Sequence, residues 1–257
     1  MKKSFGLLFC IVPYFVMLLI RTGCAVLLNR VLAGGLAADY DTYVIYVLCA
    51  IEAVYIAVFG IWYYAVFVRA GQEKEQDVFW NGRTLFLLIL LGLAVQLAVS
   101  YVLYFILSLL PAVAEAYSSL LSPLLSLSPA AIIYVGLLSP IGEEFIFRGL
   151  ILGYAKEHAP FYAANVLQAV LFGIFHGNLV QGIYAFLLGL LIGYLIQLSG
   201  SVFSGIVFHS ALNFAGLYLE RLIPEALSPV IKLVLMFLAA ALCVWIVKAL
   251  KRQRTCI

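Results

Sequence analysis

Charged residues are scarce in this sequence. Lys, Arg, Asp and Glu make up 11% of its 257 residues, whereas 66% are hydrophobic. A soluble domain is about one quarter charged and about half apolar. The shortage of charge therefore excludes an ordinary soluble domain, and we expect a polytopic membrane protein whose surface faces the lipid bilayer.

Cysteine pairs and two common hydrolase signatures are also missing. The five cysteines form no Cys-x-x-Cys pair, which argues against a disulfide framework or a cysteine metal site. Cys256 is penultimate, so the C-terminus is not itself a prenylation box. Neither His-Glu-x-x-His nor Gly-x-Ser-x-Gly occurs, which disfavours the zincin and serine hydrolase routes.

Long apolar runs dominate what is present. They cover residues 5–29, 43–68, 84–110, 129–155, 160–177, 180–198, 201–219 and 228–249. About 20 residues cross the hydrocarbon core as a helix, and no alternating strands indicate a barrel. The sequence therefore predicts an all-α membrane helix bundle with about eight transmembrane helices. Residues 111–128 predict an external loop or a helix at the membrane interface.

Basic residues predict the orientation of these helices. With eight alternating spans, most lysines and arginines fall on one side, which the positive-inside rule assigns to the cytoplasm together with both termini. Lys2 and Lys3 before the first run resemble a signal peptide, but no convincing cleavage site follows, so we expect a retained span. Because the basic residues lie in short loops and tails, no nucleic-acid partner is expected; the partner is the bilayer.

Small residues predict close helix packing. Three glycine pairs have the GxxxG spacing that lets helix backbones approach each other. They are Gly149/Gly153, Gly173/Gly177 and Gly189/Gly193. The chain shows no internal repeat, which counts against the inverted-repeat transporters.

Buried charge is concentrated in the stretch Ser139–Leu150, where Glu143, Glu144 and Arg148 lie within an apolar run. A charged side chain at the centre of a membrane helix costs about 2.5–3.5 kcal/mol. Glu144 and Arg148 are four residues apart and can pair on a helix. Glu143 points about 100° away and is left for another partner. A structural ion pair explains Glu144 and Arg148 but leaves Glu143 unexplained.

Two of the three histidines also lie in apolar runs. His176 follows Phe172 by four residues, and Asn213 follows His209 by four, so each pair shares a helix face. A lone histidine of this kind is often a satisfied core residue. Two of them with an Asn and a Glu-Glu-Arg set favour a functional site. His158, beside Lys156, is expected at the interface.

These residues allow two kinds of chemistry. Glu143, His176 and His209 are a possible zinc set with an open fourth position. Without metal, Glu143 and His176 would deprotonate a water while His209 and Asn213 stabilise the oxyanion. The residues alone leave both mechanisms open.

Helix geometry adds one difficulty and one further residue. If a helix starts at Pro160, His176 lies about 24 Å along it, whereas His209 lies about 12 Å along its own helix. The two histidines come together only if the helix of His176 begins outside the bilayer, tilts strongly, or starts at a residue other than Pro160. Glu52 is a single carboxylate in an apolar run. We expect it to pair with Arg21, with a place at the cavity mouth as the alternative.

In order along the chain, Glu-Glu-x-x-x-Arg, Phe-x-x-x-His and His-x-x-x-Asn resemble the motifs of the CAAX protease and bacteriocin-processing (CPBP, or Abi) family. That family includes the Rce1-type prenyl-protein endopeptidases and the lysostaphin-resistance-protein-A-like proteins. The resemblance covers roughly residues 130–218. It implies a division into 1–128 without signature, a catalytic core at 129–219, and a last helix with a basic tail at 220–257.

The resemblance implies an intramembrane endopeptidase acting on a membrane-associated or lipidated peptide or protein. Glu143 and His176 would activate water, and His209 and Asn213 would form the oxyanion hole. The remaining motif residues, Glu144, Arg148 and Phe172, would order the site or the substrate. In a bacterium, such a multi-pass protein is expected in the plasma membrane. A proton-coupled transporter and a non-catalytic scaffold are the alternatives.

Overall fold

Nine helices and no strand make up the described part of the chain. The computed structural model describes residues 9–32, 40–69, 80–122, 124–125, 127–222 and 227–255. The helices are α1 (Val12–Leu32), α2 (Tyr40–Tyr63, continued by a π-helical end Tyr64–Val68), α3 (Gly82–Ser108), α4 (Pro111–Leu121), α5 (Pro129–His158), α6 (Phe161–Phe175), α7 (Leu179–Ser199), α8 (Val202–Leu222) and α9 (Pro229–Thr255). The predicted all-α class is confirmed.

Each of the eight predicted apolar runs corresponds to a helix, but the helices differ in length. Within the described residues, α2, α3, α5, α7, α8 and α9 are long and apolar enough to cross a membrane. The apolar parts of α1 and α6 are shorter than about 20 residues. Helix α4 falls in the segment predicted as a loop or interfacial helix and buries none of its residues.

Helix α5 is the most enclosed of the spanning helices and contains two π-helical segments, Tyr134–Leu138 and Glu144–Leu152. A π turn bonds each N–H to the carbonyl five residues earlier and often marks a functional site. Pro140 lies between the two segments and has no N–H to donate. The helix therefore continues through Pro140 with widened turns on either side.

Two apolar clusters pack on either side of α5. One is rich in aromatic side chains and joins α1, α2, α5 and α6. The other is rich in leucine and isoleucine and joins α3, α7, α8 and α9. The candidate residues lie on α5, α6 and α8, where these two halves meet.

Close glycine packing is confirmed at five of the six predicted positions, Gly149, Gly153, Gly173, Gly189 and Gly193. Gly149 and Gly153 face the rings of Tyr63 and Phe67 on α2, so α2 also belongs to the tightly packed part. The prediction is wrong for Gly177, which has open space around it and a φ of +70°. Its role is to let the chain turn after α6.

Candidate active site

Helix α5 carries a buried network centred on Glu144. One oxygen of this carboxylate, Oε1, lies 3.0 Å from Arg148 Nη1 and 2.9 Å from His209 Nδ1. All three side chains are less than a tenth exposed. The predicted Glu144–Arg148 pair is confirmed. The contact of His209 with Glu144 also joins α8 to α5.

Glu143 lies on the other side of the same imidazole. Its Oε1 accepts a hydrogen bond of 2.6 Å from Ser139 Oγ, and its Oε2 lies 3.7 Å from His209 Nε2. The two neighbouring carboxylates therefore share His209 unequally, as their angular separation predicts. Ser139 is a partner of Glu143 that the sequence analysis did not predict. The available signal was the spacing of four residues between Ser139 and Glu143.

Gly205 explains how Glu144 can come so close to α8. The second oxygen of the carboxylate, Oε2, is buried without a hydrogen-bond partner. A Cβ atom added at Gly205 would lie 2.7 Å from that oxygen. Any larger side chain at this position would push α8 and Glu144 apart, so the absent side chain helps to set the distance from Glu144 to His209.

Asn213 is fixed by a gap in the hydrogen bonding of α5. In the first π segment the N–H of Ser139 bonds the carbonyl of Tyr134. The next carbonyl, that of Val135, would bond residue 140, which is proline and has no N–H. Asn213 Nδ2 donates to this Val135 carbonyl at 2.8 Å. A carbonyl that its own helix leaves without a donor favours such a partner, so the π turn positions Asn213.

His176 follows the last residue of α6 and is held by its own helix. Its Nδ1 lies 2.8 Å from the Phe172 carbonyl oxygen. Because a carbonyl only accepts, Nδ1 carries the proton, and Nε2 keeps a lone pair.

The ring of Phe172 connects the three motifs. Its centroid lies 4.7 Å from the ring of His176 and 5.9 Å from that of His209, and Arg148 Cζ lies 4.1 Å from the same centroid. Helix α6 begins at Phe161, as predicted, so a misplaced start does not explain the calculated gap between the histidines. Both imidazoles nevertheless contact one phenyl ring, so the difficulty is removed.

The predicted zinc set of Glu143, His176 and His209 stays a prediction. No group of three His, Cys, Asp or Glu side chains among the described residues is arranged to hold a metal ion. His209 has Nδ1 on Glu144, and His176 has Nδ1 on the Phe172 carbonyl, so Nε2 of each ring is the nitrogen left to meet a water or a ligand. The step proposed for these residues uses their own side chains and a water.

Glu52 on α2 lies beside the site and does not pair with Arg21. The predicted ion pair is wrong: within the described residues the two make no salt bridge, and the Arg21 guanidinium lies 5.6 Å from the ring centroid of Phe175. Glu52 is 3% exposed, and its Oε2 has no hydrogen-bond partner. That oxygen contacts Gly142, the residue before Glu143. Glu52 is therefore a buried carboxylate next to Glu143, and its alternative place at the cavity mouth stays a prediction.

A comparison with known protein families finds a match in the part of the chain that carries the three motifs. Residues 125–215 match the sequence model of a family described as type II CAAX prenyl endopeptidase Rce1-like. Over these residues the chain is similar to that family. The resemblance based on the three motifs is thereby confirmed, and every motif residue from Glu143 to Asn213 lies inside the Rce1-like segment.

A curated relative covers a similar share of the chain. It is the Bacillus subtilis (strain 168) protein named "Putative membrane peptidase YdiL", which is 31% identical over 85 residues. The match covers 33% of this chain and 35% of the relative, so the chain spans about a third of that protein's length. No solved structure matches the chain.

Proposed function

We propose that this protein is an intramembrane endopeptidase that hydrolyses a peptide bond in a membrane-associated or lipidated peptide or protein. The observation that carries the proposal is the position of His209, held between the carboxylates of Glu143 and Glu144 inside a bundle of apolar helices. The Rce1-like match and the name of the relative support the same class of reaction.

Glu143 and His176 activate the water in this mechanism. Glu143 is fixed by Ser139, and the lone pair on His176 Nε2 can accept a proton. The water oxygen bonds to the scissile carbonyl carbon, while its proton moves to one of these two bases. The proton then passes to the leaving nitrogen as the C–N bond breaks, which yields a carboxylate and an amine.

His209 and Asn213 stabilise the negative oxygen that forms at the carbonyl. Asn213 Nδ2 carries two hydrogens and uses one for the Val135 carbonyl, so the other is available. Glu144 fixes the ring of His209, and Arg148 in turn fixes Glu144. Loss of one such donor typically lowers kcat about 10²- to 10³-fold. Phe172 keeps the two imidazoles and Arg148 in place.

To find the substrate, membranes that contain this protein are compared with membranes that lack it. Mass spectrometry of new peptide termini should reveal cleavage products that appear with the wild type and disappear with His176→Asn. Peptides ending in a Cys-a-a-X box, prenylated or not, then test whether a lipid anchor is required. An absence of any cleavage product from wild-type membranes and from both peptides would contradict the proposed function.

Metal dependence is measured on the same purified protein. Because Glu143 and His176 can supply the base without a metal, we expect cleavage to persist in a sample shown by elemental analysis to be free of metal. Loss of cleavage on chelation, with recovery on adding zinc alone, would contradict the metal-free mechanism and leave the peptidase function standing.

A further inference from the structure

A groove on another part of the bundle lies between α3, α7 and α9. Its volume is about 370 Å³, within the range of about 300–1,000 Å³ that ligand pockets occupy. Its wall includes Leu91 of α3, Leu191 and Tyr194 of α7, and Val247, Lys248 and Lys251 of α9. None of these residues belongs to the candidate active site.

The α9 side of the groove changes from apolar to basic along one face. Val244, Val247, Lys248 and Lys251 are spaced by three and four residues, so they form one stripe on the helix. The stripe runs over about 10 Å and approaches the end of the spanning segment Pro229–Gln253. An apolar wall thus leads directly to two ammonium groups.

Both lysines lack a partner in the structure. Lys248 and Lys251 are exposed, and neither forms a hydrogen bond or ion pair with any residue of the described ranges. Two like charges three residues apart on a helix repel each other unless an anion lies between them. By contrast, Lys232, near the other end of α9, lies 3.8 Å from the ring centroid of Tyr104.

We propose that this groove binds an anionic phospholipid. An acyl chain lies against Leu191, Val244 and Val247, and the phosphate lies between Lys248 and Lys251. A basic site at the end of spanning helices attracts anionic headgroups. A free phosphate would leave the apolar wall uncovered, and a zwitterionic headgroup would bring its own cation to the lysines. The proposal does not depend on the protein being a peptidase.

Lipid titration by native mass spectrometry tests the site on the full-length protein in nonionic micelles. We expect phosphatidylglycerol to bind with a Kd at least about tenfold lower than phosphatidylcholine with the same acyl chains. The double variant Lys248→Ala/Lys251→Ala should bind both lipids equally. The variant Lys248→Arg/Lys251→Arg keeps the charges and should retain the preference, as should the control Lys232→Ala.

The apolar wall is tested separately. Val247→Trp fills the groove and should weaken both lipids, while glycerol phosphate should compete only weakly with phosphatidylglycerol. Equal binding of the two lipids to wild type, an unchanged preference in the double alanine variant, or equal competition by glycerol phosphate would overturn the proposal. A Val247→Trp variant whose oligomeric state changes while its lipid binding does not would also overturn the proposal. In that case a second copy of the chain would be the occupant of the groove.

Thermal unfolding in the same micelles checks that each variant is folded. If the double alanine variant does not fold, the single variants Lys248→Gln and Lys251→Gln provide the same readout. Each should reduce the preference for phosphatidylglycerol, and an unchanged preference in both would also overturn the proposal.

Discussion

Two adjacent glutamates have different surroundings, and this difference supports the different roles proposed for them. Glu144 is enclosed, with Arg148 and His209 on one oxygen. Glu143 is held by a hydroxyl and has the more distant contact with His209. The Glu144–Arg148 pair was predictable, because a spacing of four fixes it on almost any helix. The Asn213–Val135 bond was not predicted, because it depends on a π turn, and Pro140 alone does not distinguish a π turn from a kink or a helix start.

Arg148 tests the buried network at the residue scale. Replacing it with Met leaves Glu144 with His209 as its remaining hydrogen-bond partner, and breaking a buried ion pair costs about 3–5 kcal/mol. We expect Arg148→Met to lower the free energy of unfolding by about that amount, measured by denaturant titration in micelles. The exposed Arg83→Met is the control and should change it by less than about 0.5 kcal/mol. Equal effects of the two variants would contradict the network.

At the scale of elements, irregular turns of α5 position the candidate residues. Hydropathy gave its approximate extent, 129–155 against the observed Pro129–His158. It could not distinguish α from π turns, because both have the same apolar composition. The sequence signal was Pro140, whose missing N–H leaves the Val135 carbonyl for Asn213.

Pro140→Ala tests this link. The new N–H can bond the Val135 carbonyl in a π turn and so compete with Asn213 for its acceptor. We expect cleavage to slow by about tenfold or more, since one oxyanion donor loses its position, without a loss of thermal stability. Pro111→Ala in α4, which buries no residue, is the control. Wild-type cleavage by Pro140→Ala would mean that the Val135 carbonyl does not position Asn213.

Gly142→Ala tests the approach of α2 to α5. The added methyl group would meet the Glu52 carboxylate, which must then move away from the residue before Glu143. Overpacking of this kind costs about 1–3 kcal/mol, partly offset by the higher helix propensity of alanine. We expect lower thermal stability and slower cleavage. Gly23→Ala in α1, where nothing lies within 4 Å, should be neutral or stabilising; an equal effect of both variants would argue against close packing at Gly142.

At the scale of the whole molecule, the segment before residue 129 contributes to the site although it carries no motif. Helix α2 supplies Glu52 beside Gly142 and the rings that pack on Gly149 and Gly153. Sequence patterns located the helices and motifs, because membrane length and helical spacing constrain both. They could not place Glu52, because the partner of a lone buried carboxylate depends on how distant helices pack.

Orientation is the remaining prediction at this scale. We propose that both termini face the cytoplasm, because the positive-inside rule favours that side for the tail containing Lys248, Lys251 and Arg252. A C-terminal reporter that is active only in the cytoplasm should therefore give signal. A reporter active only outside should stay silent in the same fusion, and the reverse result would contradict the orientation.

Cleavage by purified Glu143→Gln tests the central claim most directly. Glutamine keeps the size of the side chain but cannot take a proton from water, so a loss of cleavage by about 10³-fold or more is predicted for a folded protein. Glu157→Gln, at the exposed end of the same helix, should cleave like wild type. Cleavage by folded Glu143→Gln at the wild-type rate would contradict the account.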